Sequence, residues 1–214
     1  MAEGESAAII RLNDLLIQAD YDPLGLVLAN RFEAYLSLIL RWNDHINLTA
    51  VRDEDGILSR HFVESIVCAR ALPAGISTLL DFGSGAGFPG IPIALCRPGI
   101  AVTLAESNGK KAAFLQEAIR ILGITAKVNA QRAELLPAPF DCVTLRAVDR
   151  MPQAVVAATR LVAPGGWLAL MTSRAEIASL QGAAGSSFSW PMVLPLPGST
   201  DRLLALGERQ QTSS

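Results

Sequence analysis

Leu79-Leu80-Asp81-Phe82-Gly83-Ser84-Gly85-Ala86-Gly87-Phe88-Pro89-Gly90 decides the fold. The stretch reads as a short buried strand carrying an acid, then a glycine turn, then the start of a helix. Glycine reaches φ > 0 without strain and lets a ligand approach the backbone closely. A helix starting just beyond presents unpaired N–H groups and the positive end of its dipole. A strand, glycine turn and helix in that order form a cradle for a nucleotide-type cofactor at the carboxyl end of a parallel strand.

Outward from that cradle, strands and helices alternate. Strands are expected at Thr78 to Phe82, Ala101 to Glu106, Ala126 to Asn129, Phe140 to Leu145 and Gly166 to Met171. Helices are expected at Gly90 to Cys96, Lys110 to Leu122, Met151 to Leu161 and Ala175 to Leu180. Short apolar strands joined by crossover helices make a parallel, doubly wound sheet. Gly182 to Ser189 reads as a flexible stretch. Val193 to Leu196 and Arg202 to Leu206 then form two strands around a Pro-Gly turn, an antiparallel pair that completes seven strands. The tail 208–214 is polar and expected to be disordered.

The first third reads differently. Ile9, Ile10, Leu12, Leu15, Leu16 and Ala19 mark one amphipathic helix. Leu28, Phe32, Tyr35, Leu36, Ile39, Leu40 and Trp42 mark a longer one at i, i+3, i+4, i+7 spacing. A third helix spans about Ile57 to Leu72 and stops before Pro73; a polar loop, Asn43 to Asp53, precedes it. The expected organisation is a helical cap over 1–74, a cofactor-binding α/β domain over 75–207, and the tail.

Composition narrows the class. The chain has 214 residues, 50% of them hydrophobic, and no apolar run nears the ~20 residues that span a bilayer. The acidic start, Met1-Ala2-Glu3-Gly4-Glu5-Ser6, lacks a basic leader region, so a cytoplasmic protein is expected. Cys68, Cys96 and Cys142 are odd in number and widely spaced in apolar settings, the pattern of buried free thiols. No metal-ligand spacing occurs. A net charge of −2 argues against a general nucleic-acid binder. It leaves room for a local basic face from Arg41, His45, Arg52, Arg60, His61 and Arg70, with Lys110, Lys111, Arg146 and Arg150 near strand ends.

Two cofactor types suit the glycine turn: a dinucleotide or S-adenosylmethionine. Gly85, Gly87 and Gly90 satisfy G-x-G-x-x-G, which alone is weak. Asp81, just before the first glycine, is placed to take a ligand ammonium, whereas it would repel a diphosphate. Glu106, ending the second strand, can accept from both ribose hydroxyls in either case. Leu161-Val162-Ala163-Pro164-Gly165-Gly166-Trp167 reads as a helix end, a Pro-Gly-Gly turn and a strand. That turn before the fifth strand resembles the habit of S-adenosylmethionine-dependent methyltransferases.

The ordered set of motifs carries a closer resemblance. Arg41-Trp42-Asn43, Ile46-Asn47-Leu48-Thr49-Ala50, Arg60-His61-Phe62-Val63-Glu64-Ser65 and Asp81 to Gly90 come first. Glu106-Ser107-Asn108-Gly109-Lys110-Lys111, Arg132-Ala133-Glu134 and Leu145-Arg146-Ala147 follow. Together they resemble the bacterial ribosomal RNA small subunit methyltransferase G family, also called glucose-inhibited division protein B. The resemblance implies a class I methyltransferase fold, Rossmann-like with a seven-stranded, mostly parallel sheet. It implies methyl transfer from S-adenosylmethionine to N7 of one guanine in 16S ribosomal RNA, by a monomeric enzyme needing neither metal nor membrane. Residue by residue, it implies that Gly83, Gly85, Gly87 and Phe88 line the cofactor with Asp81. Glu106 would hold the ribose, and Ala133 and Glu134 would meet the adenine. Arg146 belongs to the cofactor-binding and catalytic set. The chain departs from the family at two places. Many members carry Lys-Gly after the fifth strand, where this chain reads Leu170-Met171-Thr172-Ser173-Arg174, so a cation is missing unless Arg174 replaces it. Glu106 stands where Asp is common.

Guanine N7 is a lone pair on a neutral ring and attacks a sulfonium methyl without first losing a proton. Such a site needs positioning and a dry cleft, not a strong base. Arg146 could fork onto guanine O6, or pair with Asp81, Glu106 or Asp149. No Asn/Asp-Pro-Pro-Tyr/Phe or Pro-Cys follows the fourth strand, which disfavours amino-group or pyrimidine-carbon methylation. Asn43, Asn47, Thr49 and His61 could serve RNA or local capping, and Trp42 reads as core. The alternatives left open are a class I methyltransferase of a protein or small molecule, a nicotinamide-dependent oxidoreductase, and an inactive RNA-binding module.

Overall fold

Strand β1 (Thr78–Phe82) lies at the middle of a seven-stranded sheet of order β3-β2-β1-β4-β5-β7-β6. Its partners are β2 (Ala101–Ala105) and β4 (Phe140–Arg146), both parallel to it. Outside these run β3 (Ala126–Asn129) and β5 (Val162–Ser173), also parallel. Strands β6 (Phe188–Pro195) and β7 (Arg202–Arg209) complete the sheet, β7 antiparallel to both neighbours. The computed structural model describes residues 6–137 and 139–211.

The central strands are apolar on both faces because both are covered. Leu79, Val102, Leu104 and Cys142 face one core with Phe32, Tyr35, Ile39 and Phe62. Leu80, Val143, Leu145, Leu168 and Leu170 face the other, beneath α7 (Met151–Thr159) and α8 (Ile177–Ala184). On the first face lie α5 (Gly90–Cys96) and α6 (Gly109–Leu122). Local chemistry sets the ends of α6: the Asn108 side chain accepts from the N–H groups of Lys110 and Lys111, and Gly123 takes φ +59° just past its end.

The N-terminal helices are α1 (Ala7–Gln18) and α2 (Leu26–Asn43), followed by the short α3 (Glu54–Gly56) and α4 (Glu64–Ala71). Phe32, Tyr35, Leu36 and Ile39 of α2 form the buried stripe their spacing predicts. Trp42 is edge-on to Phe114 at 5.7 Å and donates through Nε1 to Glu117 at 2.9 Å, so it ties α2 to α6 as a core residue. The third expected helix contains a π-helical turn, Ile57–Val63, before α4. Such turns recur at functional sites because they re-aim side chains and carbonyls.

Three expectations are corrected. Pro164-Gly165-Gly166 does not precede the fifth strand but lies within β5, as an irregularity where the register shifts between Phe140↔Val162 and Cys142↔Trp167. Gly182 to Ser189 is not a flexible stretch: α8 runs to Ala184 and β6 starts at Phe188. The disordered tail does not begin at Glu208. Strand β7 continues through Arg209, whose Nη1 donates to the carbonyls of Thr159 and Val162, and Gln210 N–H donates to Ser187 at 2.8 Å. β7 is flanked on both sides, so its polar end still has ladder partners. Residues 1–5 and 212–214, which include most of the acidic start and the rest of the tail, lie outside the described residues.

Candidate active site

The chain leaves β1 toward β2 on one side while β4 pairs on the other, so a crevice opens beyond the carboxyl ends of β1 and β4. Two adjoining lobes fill it. The smaller, about 530 Å³, is lined by Gly83, Glu106, Arg132, Ala133, Glu134 and Gln153 among others. The larger, about 810 Å³, is bounded by the glycine turn, Phe88 and Arg146 below and by Thr49, Arg60, His61 and Glu64 of the N-terminal segment above. Gly83, Glu106, Ser107, Val148 and Asp149 belong to both lobes.

Gly83 and Gly85 take φ +71° and +56° and expose their backbone to the crevice. A Cβ on Gly85 would meet nothing nearer than the Gly83 carbonyl at 3.9 Å. That openness beside the chain is what a bound cofactor needs. Glu106 spans the crevice floor: its Oε2 accepts from Gly85 N–H at 2.9 Å and its Oε1 from Asn108 N–H at 2.7 Å. Both oxygens stay at the boundary of the lobes, where a pair of hydroxyls could reach them. Ala133 is buried and Glu134 exposed on a 3-10 turn, Ala133–Leu135, at the wall of the smaller lobe.

Asp81 and Gly87 do not line the crevice. Asp81 is 1% exposed beneath the turn. Its Oδ1 accepts from Thr144 Oγ1 at 2.7 Å and its Oδ2 from Gly90 N–H at 3.2 Å. Burial pushes its carboxyl up to about 6, against the pull of those hydrogen bonds. The expected contact with a ligand ammonium is therefore replaced by a role in shaping the turn. Gly87, at φ +92°, has a buried role as well: a Cβ there would lie 2.5 Å from Ile91 Cδ1 and 2.7 Å from the Tyr35 hydroxyl. That hydroxyl donates to the carbonyl of Ala86, so α2 braces the turn from behind.

Phe88 forms the floor of the larger lobe. The His61 ring stacks on it at 4.7 Å and 18°, and the Arg146 guanidinium lies 5.9 Å from its centroid. His61 Nε2 is 2.7 Å from Thr49 Oγ1, while Nδ1 is buried without a partner among the described residues. Burial, reinforced by Arg146 and Arg60, lowers its pKa to about 3, so the ring is neutral. Asn43 organises the loop that carries Thr49, its Oδ1 accepting from Leu48 and Thr49 N–H.

Arg146 is the last residue of β4, and none of Asp81, Glu106 or Asp149 is its partner. Its Nη2 donates to Glu64 Oε2 at 2.9 Å and to the Arg60 carbonyl at 2.7 Å, and its Nη1 to Ser65 Oγ at 3.4 Å. The opposite oxygen of Glu64 accepts from Nε of Arg202 at the start of β7. Glu64 is thus a buried carboxylate held between two guanidinium groups; burial raises its pKa and both arginines pull it back. Sequence reasoning missed Glu64 and Arg202. The motif Arg60 to Ser65 contained the first, but nothing local pointed to the second.

The cation absent after β5 also finds a counterpart here. Thr172 and Ser173 donate their hydroxyls to Glu176, and Arg174 is not part of the crevice lining. Arg202, opposite Ser173 in the β5/β7 register, brings the positive charge instead. Among the described residues no group of three or more metal-ligating side chains occurs, and no helix is long and apolar enough to cross a membrane.

Comparison with known proteins adds identity to this geometry. A family model described as rRNA small subunit methyltransferase G matches residues 28–190. The ribosomal RNA small subunit methyltransferase G of Xanthomonas campestris pv. campestris (strain B100) is 45% identical over 152 residues, 68% of this chain and 71% of that protein. The protein of the same name from Halorhodospira halophila is 44% identical over 160 residues, 74% of this chain and 73% of its own. Among solved structures, a predicted O-methyltransferase from Agrobacterium tumefaciens superposes with a TM-score of 0.59 at 19% identity, over 70% of this chain and 82% of its own. TYW2 of P. horikoshii, solved in complex with MeSAdo, gives 0.60 at 12% identity, over 71% and 63%. At those identities the structures bear on the fold alone, and the fold is that of class I methyltransferases.

Proposed function

Because the chain belongs to the rRNA small subunit methyltransferase G family, and so is a methyltransferase, we propose that it moves the methyl of S-adenosylmethionine to N7 of one guanine in 16S ribosomal RNA. The observation that carries this reading is the two-lobed crevice, with a glycine turn and Glu106 on its floor and an aromatic, arginine-flanked lobe beside it. The smaller lobe, with Glu106, Ala133 and Glu134, suits an adenosine; Gly83 and Gly85 leave room for the chain that follows it. When bound there, the cofactor supplies an electrophilic methyl on a sulfonium.

The protein's part is positioning. Guanine N7 bears no proton, so the transfer needs no base, and His61, stacked on Phe88 with Nε2 engaged by Thr49, is held as a packing group. Phe88 and the His61 ring stacked on it form an aromatic wall that would exclude water from the reacting face. Holding two reactants in line in this way can contribute about 7–11 kcal/mol. Arg146 keeps a fixed positive charge beside Phe88, where it would face the O6 edge of a guanine bound in the lobe. Transfer leaves the guanine ring cationic and the sulfur neutral, so net charge in the lobe does not change.

Tritiated S-adenosylmethionine, incubated with small ribosomal subunits that lack the modification and followed by nucleoside digestion, tests this reading. Label recovered as 7-methylguanosine is expected. Label in another nucleoside, or in ribosomal protein, overturns it.

A further inference from the structure

Arg146 and Arg202 share one carboxylate yet differ in what they leave free. Arg146 turns its donors into the cap, toward Glu64, Arg60 and Ser65, and its side chain is 11% exposed. Arg202 gives only Nε to Glu64; its two terminal nitrogens have no partner among the described residues, and its side chain is 28% exposed in the larger lobe. Its backbone is fixed on both sides, N–H to Ser199 Oγ at 3.0 Å and carbonyl from Leu196 N–H at 2.9 Å. A guanidinium pinned at Nε and anchored at the start of a strand presents its remaining fork in one orientation. The cluster of two arginines and one glutamate carries a net single positive charge.

We propose that Arg202 grips a phosphate of the acceptor RNA strand through its terminal nitrogens, and that Glu64 is the residue that positions it. This rests on the reading that the acceptor is RNA. A planar two-donor fork matches phosphate oxygens bidentately. Its other common nucleic-acid partner is the O6/N7 edge of guanine. That partner is excluded by the chemistry: a donor on N7 would occupy the lone pair that must attack the methyl. A phosphate next to the target can use the fork without blocking the nucleophile; the cofactor's carboxylate is the competing anion, and a fall in cofactor affinity in Arg202→Ala would assign the fork to it and overturn the proposal. Glu64 supplies the pin, and from the far side it holds Arg146, so one buried carboxylate fixes the spacing of both guanidinium groups.

Steady-state methylation of unmodified small subunits, measured across a salt series with the Arg202→Ala, Arg202→Lys and Glu64→Gln variants, tests the proposal. Arg202→Ala is expected to raise KM for subunits roughly tenfold and to lower the slope of log KM against log salt by about one, as loss of one phosphate contact does. Its kcat should stay within about twofold, and calorimetry should show unchanged cofactor affinity. Arg202→Lys, which keeps charge but loses the fork, should fall between Ala and the parent. Glu64→Gln should raise KM, and adding Arg202→Ala to it should cost less than the two changes apart, because both remove one contact. An unchanged KM and salt slope in both Arg202 variants, or a loss of kcat alone, overturns the proposal. Absence of RNA methylation by the parent enzyme overturns the proposed function instead. If Arg202→Ala does not fold, the Lys variant decides by KM, which the loss of the fork should raise at an unchanged salt slope; an unchanged KM overturns the proposal.

Discussion

Replacing Tyr35 by Phe removes one oxygen and tests whether α2 braces the glycine turn. Tyr35 is fully buried, and its ring stacks on Phe62 at 5.3 Å and 8°. Phenylalanine keeps that ring and its packing. What is lost is the hydroxyl's hydrogen bond to the carbonyl of Ala86, which lies between Gly85 and Gly87 and is 5% exposed at the residue level. Burial keeps the phenol well above its ordinary pKa, so it is a donor at every working pH. Removing the donor strands a buried acceptor, which costs about 1–3 kcal/mol. In a protein of this size that lowers Tm by roughly 2–12 °C. Because the freed carbonyl belongs to the turn itself, cofactor affinity should fall as well. Differential scanning calorimetry with titration of S-adenosylmethionine reads both effects. A Phe variant with unchanged Tm and unchanged cofactor affinity would refute the brace.

Further outcomes follow from the same geometry. Gly90→Ala would place a Cβ 2.4 Å from Leu104 Cδ2 and 2.7 Å from Asp81 Oδ2, so it should destabilise by about 1–3 kcal/mol and weaken cofactor binding, read by urea unfolding and calorimetry. His61 stays neutral when folded down to about pH 3 but takes a proton near 6.5 when unfolded, so it makes stability fall as pH drops through that window. Asp81, raised to about 6 from 3.8, acts in the opposite sense between those values. The stability of the parent relative to His61→Gln should therefore decline by about 1 kcal/mol per pH unit below pH 6, measured by urea unfolding; a constant difference would contradict a buried neutral histidine. Burial pushes the Cys68 thiol up to about 12, Cys96 up to about 11 and Cys142 well above its usual range. All three should react slowly with a thiol reagent at neutral pH and quickly in denaturant.

Much of the sheet was legible because its signals are local. Thr78 to Phe82 and Ala126 to Asn129 are bounded by turn residues and read at their observed limits. The interior of the glycine turn was legible too, through Gly83, Gly85 and Phe88. What escaped was pairing over long separations. Glu64 meets Arg146 across 82 positions and Arg202 across 138, and no pattern within a window of sequence connects them. Asp81 misled for a related reason: its place at the end of a strand is visible, but not the direction of its side chain, which Thr144 and Gly90 turn inward. Pro164-Gly165-Gly166 carries strong turn chemistry, yet pairing with β4 absorbs it as a bulge. The polar end of β7 looked like a tail because its partners, β5 and the start of β6, precede it in the chain.

The most direct test of the site is a crystal structure of this chain with S-adenosylhomocysteine. The adenosine is expected in the lobe bounded by Ala133 and Glu134, with ribose hydroxyls on Glu106 and the sulfur directed toward Phe88 and the larger lobe. A nucleoside bound elsewhere, or a ribose that leaves Glu106 untouched on Gly85, would contradict it.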